Sequence, residues 1–156
     1  MLTAVVFLDV SKEFDSINHK TLILKLQEVV ASNSVTQWFQ CSLNDRRQVV
    51  RNLSKLTEPY LSSAVYSGVP QGSILGPVVF SIYTNGLPSK PQECSCQSYV
   101  DDNQLIISFQ MKDINSNAFA DLRNDLHRIG EWCSNNLLLL NPGKTRLMVF
   151  RSMEMR

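Results

Sequence analysis

The run Ala4-Val5-Val6-Phe7-Leu8 constrains the fold of this chain more than any other segment. Consecutive apolar residues, two of them β-branched, leave no polar face to turn toward water. They fit a strand buried on both faces, and therefore a central place in a sheet. The run stops at Asp9. A carboxylate close to a core is costly unless something pairs with it. By itself Asp9 fits the polar end of a strand, a partner for a lysine, or a ligand for a cation.

The remaining elements are mixed. Leu22, Ile23, Leu26, Val29 and Val30 have helical spacing, with Asn18 or Thr21 as the cap. Trp38, Phe39 and Leu43 predict a short second helix. Residues 48–53 and 60–66 read as strands, and 67–73 as a loop. Pro77 suits the first turn of a helix, where its missing N–H leaves nothing unpaired; that helix carries Val78, Val79, Ile82 and Tyr83 and ends near Asn85-Gly86. Residues 88–97 read as a polar loop. Tyr99-Val100, the Asp101-Asp102 pair and residues 104–109 predict a tight hairpin. Phe119, Leu122, Leu126, Ile129 and Cys133 form an amphipathic helical stripe. Asn141-Pro142-Gly143 breaks the chain before a final strand over 146–150. Strands and helices do not alternate regularly, so the expectation is α+β, one domain over 1–156 with no second domain.

Composition narrows the function. With 15 Lys+Arg against 14 Asp+Glu, the net charge of +1 argues against a free-standing nucleic-acid coat protein, which is usually far more basic. Cys41, Cys94, Cys96 and Cys133 have no zinc-type spacing and read as reduced thiols in an intracellular compartment. No stretch approaches the ~20 apolar residues of a membrane span, and the N-terminus lacks the basic flank of a signal peptide.

Asp101-Asp102 is open to two readings. Aspartates are common in turns. Two adjacent carboxylates repel, however, and a divalent cation shared with a third carboxylate, Asp9, removes that repulsion. Hard carboxylate oxygens suit Mg²⁺ or Mn²⁺.

The wording of four segments decides between these readings. Residues 7–15 (FLDVSKEFD) resemble the first catalytic block of reverse transcriptases, and residues 67–77 (SGVPQGSILGP) resemble their second. Tyr99-Val100-Asp101-Asp102 is similar to their aspartate-pair block, and residues 138–145 (LLLNPGKT) resemble the lysine-bearing segment that follows. The second and last are worded as in non-LTR (LINE-type) retrotransposons, and the resemblance runs from Val5 to about Phe150.

The resemblance implies a polymerase palm: an antiparallel sheet bearing the catalytic carboxylates, packed against helices. It implies RNA-directed DNA synthesis on an RNA template from a DNA primer, with dNTP as substrate and two Mg²⁺ ions, for which Mn²⁺ substitutes. Asp9 and Asp101 would be the main metal ligands, helped by the Val10 carbonyl, with Asp102 in support. Phe14 would stack under the nucleotide sugar and reject a 2′-hydroxyl, and Gln71 would contact the incoming nucleotide. The turn carrying Gly68, Pro70 and Gly72 would approach template and primer. Lys144 would meet the pyrophosphate leaving group. The three carboxylates are expected to cluster within a few ångströms.

Two departures stand out. Glu13 replaces the alanine usual before the gate phenylalanine, and Asn85-Gly86 stands where Asn-Asp is common. Fingers and thumb are expected to be missing, so the isolated chain is expected to be inactive, or at least not processive, because of truncation. The alternative expectation is a catalytically inactive retroelement remnant, binding nucleic acid or a partner weakly. A two-metal nuclease is disfavoured by the second block. The resemblance points to the nucleus.

Overall fold

The computed structural model describes residues 1–29, 32–49, 62–70, 72–110 and 117–151. Its elements run β1 (Leu2–Leu8), α1 (His19–Val29), α2 (Asn33–Leu43), β2 (Arg47–Val49), β3 (Ser62–Ala64), α3 (Gly76–Thr84), β4 (Ser95–Tyr99), β5 (Asp102–Phe109), α4 (Ala118–Asn135) and β6 (Arg146–Arg151). Four strands form an antiparallel sheet in the order β4-β5-β1-β6, and β2 pairs with β3 separately.

The apolar run lies where its composition requires. β1 is interior, paired from Leu2↔Phe109 to Leu8↔Asn103 on one side and from Leu2↔Arg151 to Phe7↔Arg146 on the other. Both of its backbone edges are thus satisfied. Leu2, Ala4, Val6 and Leu8 face the helices and join the main core, while Val5 is buried on the opposite face. Fully burying a Leu or Val contributes about 1.5–3 kcal/mol, so this strand anchors the sheet.

The helices cover one face. In α1, Leu22 and Leu26 are fully buried, and Asn18 is its cap: its Oδ1 accepts from the Thr21 N–H at 3.1 Å. Pro77 lies in the first turn of α3 as expected, but the buried face of α3 is Val79, Phe80 and Tyr83, while Val78 is exposed. In α4 the buried stripe is Ala118, Leu122, Asp125, Ile129 and Cys133, with Phe119 and Leu126 at its flanks. The apolar spacing gave the helix correctly but set the centre of its buried face one residue off.

That shift places a carboxylate in the core. Asp125 accepts the backbone N–H groups of Gln92, Glu93 and Cys94 at 2.9, 2.9 and 2.8 Å and pairs with Arg128. Burial pushes its pKa up, but the three N–H donors and the guanidinium outweigh burial and bring it down to about 2. The clamp fixes the chain entering β4. Residues 95–97, expected in a loop, are strand because β5 offers them a ladder; Ser95 and Gln97 are exposed and carry no apolar signal. Of the expected strands at 48–53 and 60–66, the described parts are β2 and β3, and 50–61 lies outside the described residues.

Candidate active site

Asp9 directly follows β1. Leu8 pairs with Asn103, so Asp9 and Asp102 are the next residues of that register, at the same end of the sheet. Beyond β1 the chain is tied to the segment preceding β6. The Asn141 N–H donates to the Asp9 carbonyl at 2.8 Å, the Ser11 N–H donates to the Leu139 carbonyl at 2.7 Å, and Val10 bridges Leu140. The Val10 side chain is buried.

The same tie brings Lys144 to the site. The Asn141 carbonyl accepts from the N–H groups of Lys144 and Thr145 at 3.2 and 3.0 Å and from the Thr145 hydroxyl at 2.9 Å. This turn sends the lysine back toward β1, where Nζ lies 4.0 Å from Asp9 Oδ1. Lys144 is 72% exposed and Asp9 29%. The other Asp9 oxygen, Oδ2, is buried and has no hydrogen-bond partner among the described residues. A buried acceptor without a donor costs about 1–3 kcal/mol, so this oxygen is poised for a ligand that brings positive charge.

The aspartate pair occupies the β4–β5 hairpin tip. Tyr99 pairs with Asp102, leaving Val100 and Asp101 as a two-residue turn. Val100 has φ +56°, a strained conformation for a β-branched residue. Asn103, fully buried, holds the tip from beneath: its Nδ2 donates to the Asp101 carbonyl at 2.9 Å and its Oδ1 accepts from the Ser98 hydroxyl at 2.6 Å. Sequence reasoning missed Asn103, although a polar residue two positions before Leu105 on the inward face was a visible signal.

The backbone gathers these groups at one end of the sheet, but the side chains stop short of the expected tight cluster. Among the described residues, no three His, Cys, Asp or Glu side chains stand close enough together to hold a metal ion. Asp101 is half-buried and Asp102 exposed; like charges at adjacent positions repel, which favours this open arrangement. The donor set still fits a hard divalent cation in chemistry, with Asp9 Oδ2 unsatisfied and two more carboxylates at the facing hairpin tip.

The second block packs against the first. The Gly68 N–H donates to the Ile17 carbonyl at 2.8 Å and the Val69 N–H to the Phe14 carbonyl at 2.9 Å. His19 Nε2 donates to the Gly68 carbonyl at 2.8 Å. Gly68 has φ +82°, and a Cβ there would lie 2.9 Å from both the Asp15 Cα and the Phe14 carbonyl oxygen. Glycine is thus required for conformation and for space. Pro70 accepts the Ser73 N–H at 3.1 Å, and Gly72 also has φ +82°. The half-buried Phe14 ring packs on Phe80, with centroids 5.6 Å apart, and approaches Gly76. Gln71 lies outside the described residues.

A family model described as "Reverse transcriptase (RNA-dependent DNA polymerase)" matches residues 1–155. The chain belongs to the reverse transcriptase family. It is 31% identical over 147 residues, 90% of its length, to the "Probable RNA-directed DNA polymerase from transposon BS" of Drosophila melanogaster, and 23% identical over 159 residues to the RNA-directed DNA polymerase from mobile element jockey of the same fly. These relatives agree with the non-LTR wording of the blocks. The chain spans 16% of the length of each. Its fold is similar to part of telomerase from Candida tropicalis, with a TM-score of 0.70 and 14% identity over 95% of this chain and 26% of that one. The architecture is that of a polymerase palm, and no described helix is long and apolar enough to cross a membrane.

Proposed function

We propose that this chain is the catalytic palm of an RNA-directed DNA polymerase from a non-LTR retroelement, extending a DNA primer on an RNA template with dNTPs. The observation that carries the reading is the juxtaposition at Asp9: one carboxylate oxygen is buried without a partner among the described residues, and Lys144, from the far end of the chain, stands 4.0 Å from the other.

Asp9, Asp101 and Asp102, with the Val10 carbonyl, would hold two Mg²⁺ or Mn²⁺ ions. When bound, such ions activate the primer 3′-hydroxyl and neutralise charge on the triphosphate. The chain's own residues do the rest. Lys144 presents a cation on the solvent side of Asp9, where it meets the leaving pyrophosphate and holds a proton for it. Phe14, braced by Phe80, offers a ring edge to the sugar and leaves no room for a 2′-hydroxyl. Gln71 contacts the nucleotide. The Gly68–Gly72 turn, side-chain-free at both ends, lets template and primer backbone come close.

A second reading, an inactive remnant that keeps the fold and binds weakly, is favoured by the net charge of +1 and by Glu13, half-buried one residue before the gate. Incorporation of a single nucleotide into a primer annealed to RNA separates the two, measured at low salt with Mn²⁺ and protein in excess. The palm reading predicts incorporation by the unaltered chain that disappears in Asp101→Asn. It also predicts no processive extension at physiological salt, because little net charge is available to hold phosphates. No incorporation by the unaltered chain, or equal incorporation by Asp101→Asn, contradicts the palm reading.

A further inference from the structure

Asn103 follows the aspartate pair directly and is 1% exposed, on the helix-facing side of β5 with Leu105. A buried amide needs partners at both ends, and its surroundings fix which end points where. The Asp101 carbonyl can only accept, so the Asn103 Nδ2 must face it, at 2.9 Å. Oδ1 is then turned toward Ser98, its cross-strand partner on β4, whose hydroxyl donates at 2.6 Å. One side chain thus ties both strands of the hairpin to the peptide between Asp101 and Asp102. That peptide follows a strained residue. Tyr99 pairs with Asp102 across a two-residue turn, and the first turn residue, Val100, has φ +56°. Tight turns at positive φ favour glycine, asparagine or aspartate, and a β-branched side chain is held there only where its surroundings over-determine it. Relaxation of Val100 toward negative φ would rotate the turn and carry the Asp101 carbonyl with it. Asn103 holds that carbonyl in place.

We propose that Asn103 is a positioning residue of the metal site: its amide, braced by Ser98, holds the strained turn in the conformation from which the Asp101 carboxylate joins Asp9 on a cation. This role rests on the palm reading, which places the cation there. Asn103 is suited to it by its place in the sheet. It is bonded to the Asp101 peptide, and by register it lies beside Leu8, the residue that leads into Asp9. The described carboxylates do not form a ready-made cluster. With the Asp101 backbone fixed, only side-chain torsions have to change when a cation arrives, and these move between staggered wells. With the turn released, the backbone of the turn would have to be ordered as well, and that entropic cost would come out of the metal affinity. Groups that orient a metal's ligands without touching the metal typically set about 10- to 100-fold of its affinity.

The test is the Mn²⁺ affinity of the full 156-residue chain, read from the electron paramagnetic resonance signal of the free ion, beside urea unfolding without metal. Asn103→Leu keeps the buried volume and removes both hydrogen bonds; it should weaken Mn²⁺ binding about ten-fold. Ser98→Ala, at an exposed position, should weaken it by less, and Ser98→Thr, which keeps the hydroxyl, should restore it. Leu122→Ala, a core truncation in α4, should lower the urea midpoint and leave Mn²⁺ affinity unchanged. An affinity of folded Asn103→Leu within about two-fold of the unaltered chain overturns the proposal, whatever its stability. An equal weakening in Leu122→Ala overturns it too, since the loss would then follow stability rather than position. Should Asn103→Leu fail to fold, the Ser98 variants decide: equal affinity for Ser98→Ala and Ser98→Thr overturns it. Mn²⁺ bound equally by the unaltered chain and Asn103→Leu refutes this role and leaves the palm reading standing. No Mn²⁺ binding by the unaltered chain contradicts the palm reading itself, and this role falls with it.

Discussion

Asp125 shows what a single residue decides. Its carboxylate closes three backbone N–H groups of the segment entering β4, and β4 carries the hairpin with the aspartate pair. Its pKa falls from 3.8 to about 2 on folding. A depressed folded value means that the unfolded chain takes up the proton first. The stabilisation is therefore complete above 3.8 and is lost as pH falls from there to about 2. It amounts to roughly 2 kcal/mol. Asp125→Asn should cost about 3 kcal/mol at neutral pH, because its amide N–H₂ cannot accept from backbone donors. Urea unfolding at about pH 6 and about pH 2.5 should show a smaller acid-dependent loss in Asp125→Asn than in the unaltered chain; an equal loss would mean that the clamp carries no stability. None of this was legible in the sequence. The position falls on the apolar stripe of α4, but its partners are fixed only by the fold. Asn103 was hidden for the same reason. Asp9 and Lys144 were legible as chemistry, and the fold supplied their meeting at 4.0 Å.

At the scale of elements, periodicity was a good guide wherever burial was strong. It gave β1, β5, α1 and α4, whose inward residues are mostly apolar, and of β4 it gave only the Tyr99 end of the hairpin, because residues 95–97 are strand through their ladder to β5 and carry little apolar signal. β6 is the opposite case. It reads as a strand and is one, yet Leu147, Met148, Val149 and Phe150 are 47–52% exposed at the sheet edge. An edge strand with four apolar residues in water invites pairing with another chain. Replacing Met148 and Phe150 with lysine should reduce self-association in sedimentation velocity and change the unfolding midpoint little, since neither is buried. A large loss of stability with unchanged association would show that β6 is packed rather than open.

At the scale of the whole molecule, the family was legible from the wording of four blocks in order, while composition alone allowed any near-neutral α+β domain. The order of strands converts that wording into a place. With β1 between β5 and β6, the end of the apolar run, the aspartate hairpin and the lysine segment must share one end of the sheet. The close grouping of three carboxylates did not follow, because strand register fixes backbones while mutual repulsion acts on the side chains. The central claim is that this end of the sheet is a divalent-metal site, and thermal unfolding with added Mn²⁺ tests it most directly. At a concentration about 100 times the dissociation constant, binding contributes about 2.7 kcal/mol, which raises the midpoint of a chain this size by about 5–10 °C. The account predicts that rise for the unaltered chain and its loss in Asp9→Asn and Asp101→Asn; no rise, or the same rise in both variants, would contradict it.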